Sequence, residues 1–206
     1  MSVMVKDKFI KRAWSFILRR VLHISIGKMH YLRLNTDIDV VNKKLEGFNL
    51  SVKELTYEDF LKGDRTVFHG KKLELIKERL QDSNYNCYGI IENGKLVYST
   101  WISLERLGLS VNTNPINLMP NEGLLEDSYC DPIARGHGLH GLMNYYRLKI
   151  LYELGKTRVL AMVLDGNTPA MKVQLKSGFE DLGTFYNGYL LGIKINTLKK
   201  EKFDGK

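Results

Sequence analysis

Cysteine is nearly absent from the chain: its 206 residues include two, Cys87 and Cys130. Two thiols cannot build a disulfide framework, and both lie in apolar, strand-like stretches, where cysteine serves as a small buried residue. Proline is also scarce, with four residues, and there is no low-complexity tract, which excludes a largely disordered chain. No apolar run reaches the ~20 residues of a spanning helix. Arg19 and Arg20 interrupt the apolar stretch near the basic N-terminus, so no secretory signal is read there. His23, His30 and His69 show no partner spacing, and no metal site is expected. These absences point to a cytoplasmic protein.

The 44% apolar content suits one packed domain with an extension. The net charge of +8 sits at the ends: residues 1–33 carry +7, residues 194–206 carry +3, and the body between them carries −2. A nucleic-acid enzyme would hold its positive charge around a cleft in the body, so DNA or RNA is not the expected partner. Residues 6–25 read as a basic amphipathic helix, with Ile10, Trp14, Ile17, Leu18, Val21 and Leu22 on one face. Three roles stay open for it: packing on its own domain, peripheral contact with an anionic membrane, or self-association into a homodimer.

Punctuation divides the rest. A regular domain over 49–195 is expected, between a helical extension over 1–48 and a basic tail over 196–206. Thr56 caps a short helix and another fits 71–81. Strands at 86–92 and 95–103 flank Asn93-Gly94, a strong hairpin signal. A loop over 104–122 precedes a strand at 124–131. A helix follows at 137–154, its apolar face formed by Leu139, Leu142, Met143, Tyr146, Ile150 and Leu154. A strand at 157–163 leads to a helix capped by Thr168, with Pro169 first inside it and Gly178 ending it. Strands at 179–186 and 188–195 close the chain. The fold class is α/β with a mixed sheet (α+β), and the order excludes repeated βαβ units.

The informative stretch runs from Tyr129 and Cys130 through Asp131-Pro132 to Arg135-Gly136-His137-Gly138-Leu139-His140-Gly141. It is strand, glycine-rich turn, then helix. Unpaired N–H groups and the macrodipole at a helix start favour an anion, and Arg135 adds a charge-assisted contact. Taken alone, the pattern fits either a phosphate site or a crowded turn relieved by glycine. A nucleoside-triphosphatase loop is absent, and so is a dinucleotide fingerprint.

The same stretch resembles the CoA-binding motif of the GNAT N-acetyltransferases: Asp131, Pro132, Arg135 and Gly138 match, while His140 occupies a Gly or Ala position. Asn167-Thr168-Pro169-Ala170 and Lys176-Ser177-Gly178-Phe179 resemble the family's next conserved segment. The resemblance covers about three quarters of the chain. It implies acetyl-CoA as donor, a primary amine such as an amino sugar or other small amine as acceptor, and Tyr129, Cys130, residues 135–141 and Asn167 at the cofactor. A protein or peptide amine is a second acceptor class.

The implied reaction needs a base for an ammonium of pKa about 10.4 and a donor for the thioester oxyanion. The family supplies the donor from the strand before the motif, here near Cys130. Glu126 is the expected base because it shares strand parity with Ser128 and Cys130. Asp127 ranks second and Glu122 third. Gln174 replaces the family's thiolate-protonating tyrosine, and Tyr186 or Tyr189 is the expected substitute. Two other readings remain: a non-catalytic CoA-binding module, and an acyltransferase using a longer or carrier-bound chain.

Overall fold

The computed structural model describes residues 25–48, 51–107, 116–191 and 193–199. The strands are β1 (Ser25–Asn35), β2 (Val52–Glu54), β3 (Tyr85–Glu92), β4 (Lys95–Ser103), β5 (Arg106–Leu107), β6 (Ile116–Asn117), β7 (Glu122–Cys130), β8 (Arg158–Leu164), β9 (Glu180–Leu190) and β10 (Ile193–Asn196). The helices are α1 (Ile38–Leu45), α2 (Tyr57–Phe60), α3 (Gly70–Leu80), α4 (Leu139–Glu153) and α5 (Thr168–Lys176). Eight strands form one mixed sheet in the order β10-β9-β1-β8-β7-β4-β3-β2, and β5 pairs with β6 separately. Within the large sheet only β7 and β8 run parallel.

Both sheet faces are covered. On one, α1, α4 and α5 pack Val41, Leu148, Leu151 and Met171 against Leu32, Ile102, Leu125 and Ala161. On the other, α2 and α3 bury Phe60 and Ile76 against Cys87 and Trp101. Further along that face, Leu107 packs with Tyr31, Leu124 and Leu160. The hairpin takes the expected form, with Asn93 at φ 49° and Gly94 at φ 73°, as a turn with two left-handed residues requires. Thr56 completes a capping box with Asp59. No described helix is long and apolar enough to cross a membrane.

Three expectations about the elements are corrected. The fold does not begin at 49: β1 lies between β8 and β9, pairing with both. A strand covered on both faces has no alternation to reveal it, and Tyr31 and Leu32 are both fully buried, on opposite faces. The helix expected over 6–25 lies outside the described residues, apart from Ser25, which starts β1. The cap of α5 is Asn167, with Thr168 and Pro169 inside the helix. Finally, β9 runs unbroken through residue 187, because Gly188 stays in register with Ile26 and Ile195.

His30 anchors β1 to its neighbours. Its ring nitrogens lie 2.8 Å from Asp181 Oδ2 and 3.1 Å from Asp165 Oδ1. Burial pulls its pKa down, but hydrogen bonds and charge from both aspartates raise it above the usual value. A raised folded-state pKa gives stability that is full below the unfolded value and fades as pH climbs through the folded one. The melting temperature should therefore fall more between about pH 5.5 and about pH 8.5 in the wild type than in His30→Asn. Equal falls in both proteins would rule out this linkage.

Candidate active site

The site originates in a separation of strands. β7 pairs with β8 only over Glu122–Leu125, against Arg158–Ala161. Beyond that point the register between β7 and β4 slips by one: Glu126 faces Trp101, whereas Tyr129 faces Ser99. The extra residue is a β-bulge, and Asp127 takes φ 24° there. On the helix-rich face the gap is a cavity of about 270 Å³, lined by Glu126, Ser128, His140, Arg147, Asn167 and Gln174 among others. A cavity of about 160 Å³ on the opposite face shares Leu125, Glu126, Asp127 and Met162 with it. The two openings thus meet at the bulge.

The glycine-rich turn forms the rim. Asp131 accepts a hydrogen bond from Ile133 N at 3.0 Å and pairs with Lys95 at 2.9 Å, which fixes the short 3₁₀ turn Pro132–Ala134. Gly136 and Gly138 follow at φ 86° and 74°. Gly138 caps α4, whose first backbone bond runs from Leu142 N to Gly138 O, so the N–H groups of Leu139, His140 and Gly141 lack helical acceptors. A Cβ at Gly136, Gly138 or Gly141 would meet no protein atom within 4 Å. The glycines leave room for something outside the protein to touch the backbone. Arg135 binds Cys130 O through Nε at 3.1 Å and keeps an exposed position at the same rim, next to exposed His137.

Cys130 lies in β7 opposite Tyr98. Asp131 N bonds Val97 O at 2.9 Å, so by antiparallel alternation the adjacent Cys130–Tyr98 pair exchanges no bonds across β4. The Cys130 N–H is turned toward the open side of β7. Tyr129 behaves differently. Its ring packs against Phe68, 4.8 Å between centroids, on the face away from α4. Leu139 packs with Tyr98 and Met143, leaving its backbone for the rim. Asn167 accepts from Ala170 N at 3.4 Å as the α5 cap and lines the far wall of the cleft.

The bulge breaks the parity expected of Glu126. Glu126 shares a face with Trp101, and Cys130 lies on the other with Tyr98. The Glu126 carboxylate accepts from Ser103 Oγ at 2.8 Å and pairs with Arg79 at 3.1 Å. Burial raises its pKa, against the pull of Arg79 and Ser103. Asp127 pairs with Lys72 and lies 3.6 Å from Arg79. Glu122 is fully buried outside the cleft, 3.5 Å from Arg158, and accepts from Met119 N.

Tyr186 is displaced from the site. It belongs to β9, and β1 and β8 stand between β9 and β7, a separation of about 14 Å at ordinary strand spacing. Its side chain is 48% exposed. Tyr189 shares that strand. His140 differs in the other direction. Its side chain enters the cleft wall, with Nδ1 2.6 Å from Tyr98 Oη. Burial and the nearby Arg147 charge lower its pKa to about 4, so the ring is neutral at physiological pH.

Sequence reading missed Arg147 and Asn144, both buried on α4. The signal was present: His140, Asn144 and Arg147 follow helical spacing alongside buried Met143, Leu148 and Leu151. The inner face of α4 is thus rotated from the one expected, and Leu154 is 49% exposed.

No protein-family model matches the chain, and no curated protein matches it. Solved structures do. A protein assigned to the GNAT acetyltransferases from Novosphingobium aromaticivorans superposes with a TM-score of 0.54 at 12% identity, over 79% of this chain and 63% of that one. A GNAT-family acetyltransferase from Colwellia psychrerythraea gives a TM-score of 0.55 at 12% identity, over 79% of this chain and 56% of that one. A functionally unknown conserved protein from Staphylococcus epidermidis gives 0.54 at 10% identity, over 84% of this chain and 65% of that one. The chain therefore spans 63%, 56% and 65% of these proteins' lengths. The likeness establishes the fold: this chain is folded as the GNAT acetyltransferases are.

Proposed function

We propose that the chain is an N-acetyltransferase that moves an acetyl group from acetyl-CoA to a primary amine, such as an amino sugar or another small amine. One observation carries this reading. The gap between β7 and β8 opens on one face beside His140, in the first turn of α4, and on the other beside Glu126 and Asp127. The residues present fit the cofactor. Gly136, Gly138 and Gly141 leave the backbone accessible, the helix start attracts the diphosphate, and Arg135 adds charge. The cleft between His140 and Asn167 would take the pantetheine arm, and the outward Cys130 N–H is a donor for the thioester oxygen.

In this reading the amine approaches from the opposite face, where Leu107 borders the smaller cavity. The nitrogen attacks the thioester carbon, the carbon–sulfur bond breaks, and CoA leaves as a thiolate. Glu126, or Asp127 beside it, takes the proton that the amine must lose. The thiolate, with a pKa near ~8.5, leaves without needing a strong acid.

A second reading rests on Gln174, which occupies the family's tyrosine position and is hydrogen-bonded to Asn144 at 2.9 Å. On that reading the chain binds CoA without catalysis. Calorimetry with acetyl-CoA, followed by release of free thiol with an amine panel, separates the two. Binding with turnover supports the transferase. Binding without thiol release from any amine supports the module. No binding at all disposes of both.

A further inference from the structure

Arg147 is 1% exposed. Its Nη1 donates to Trp101 O at 3.4 Å and Glu126 O at 3.2 Å, and its Nη2 donates to the Asn144 side-chain oxygen. All three acceptors are neutral, and Nε has no partner. Among the described residues Arg147 forms no ion pair. Glu126 offers it only a backbone carbonyl, because the Glu126 carboxylate sits on the other face with Arg79. His140 shares the cleft but is neutral. Burial lowers the Arg147 pKa to about 10, which leaves it charged at neutral pH. An unpaired guanidinium at this depth is costly to hold, and the cost falls when an anion reaches it.

The neighbouring groups extend the same chemistry. Asn144 donates its amide to Gln174 Oε1 at 2.9 Å and to Ser177 Oγ at 3.2 Å. Gln174 lines the cleft, and with its oxygen thus engaged its amide N–H groups are its remaining donors. Arg147 lines the same cleft, two turns along α4 from the glycine-rich rim. The floor therefore offers donors and positive charge beside the bulge. An acetyl group alone has no carboxylate to use them.

We propose that Arg147, oriented by Asn144 and flanked by Gln174, receives a carboxylate that one of the two substrates carries into the cleft. The carboxylate belongs either to a dicarboxylic acyl group on the thioester or to an amino-acid-like acceptor. The inference rests on the acyl-CoA reading of the cleft.

The test uses the whole 206-residue chain and two matched comparisons. The first sets the affinity for succinyl-CoA against that for acetyl-CoA, by calorimetry. The second compares an amino acid with its uncharged amide, by affinity and by thiol release. In one of the two the wild type should favour the carboxylate by about tenfold or more. Arg147→Met should erase that preference while leaving the uncharged member within about threefold, and its melting temperature should not fall. Arg147→Lys, which keeps the charge and covers the case of a misfolded methionine variant, should retain part of the preference. No preference in either comparison overturns the inference while leaving the acyl-CoA reading intact, as does a preference that survives in Arg147→Met. Failure of both thioesters to bind overturns the reading and the inference together.

Discussion

Glu126→Gln should lower kcat by about 10²–10⁴-fold, the usual contribution of a general base, with acetyl-CoA affinity nearly unchanged. The substitution keeps the size of the side chain and a group facing Ser103, which donates to Glu126 at 2.8 Å. It removes the charge that pairs with Arg79 at 3.1 Å. Arg79 retains support from Asp127 at 3.6 Å and from the rings of Tyr85 and Trp101, so the loss of stability should be modest. The wild-type rate should also fall as pH drops through the Glu126 pKa, which burial raises above the ordinary carboxylate value. The limb arises because the base must be ionised to accept a proton. Asp127→Asn is the control. If it abolishes turnover while Glu126→Gln stays within about threefold of wild type, the base is Asp127.

Gly138→Val should weaken acetyl-CoA binding by about a hundredfold, close to 2.7 kcal/mol. Gly138 caps α4 at φ 74°, and a β-branched residue is poorly tolerated in the left-handed region. Its Cβ would meet no protein atom within 4 Å, so the protein itself offers no steric objection. The penalty falls on the backbone conformation that aims the N–H groups of residues 139–141, and on any group resting there. The melting temperature should drop by only a few degrees. Calorimetry with acetyl-CoA checks the affinity. An unchanged dissociation constant would place the diphosphate away from this helix start.

These two substitutions differ in how far local reasoning reaches them. The Gly138 site was legible in the chain, because positive φ, helix capping and unpaired N–H groups depend on a few consecutive residues. Glu126 was legible only as a candidate. Its strand was expected, yet its face was misassigned, since counting in twos along β7 fails at the bulge of Asp127. Nothing in the local sequence marks that bulge; it follows from the pairing with β4. Tyr186 was misplaced for a related reason: its strand was expected, but not the insertion of β1 between it and the cleft.

By itself, the sequence determined the elements whose signals are local. Asn93-Gly94 made the hairpin, Thr56 and Asp59 the capping box, and Asp131 through Gly141 the strand–turn–helix that suits an anion. Backbone sterics and capping act within a few residues, so they can be read in order along the chain. Only the tertiary structure decided which strand lies beside which, and therefore which side chains share a cavity. It brought β1 into the sheet, turned Glu126 to the far face, and buried Arg147 with no counterion among the described residues. Strand order, register and burial are set by contacts between distant segments.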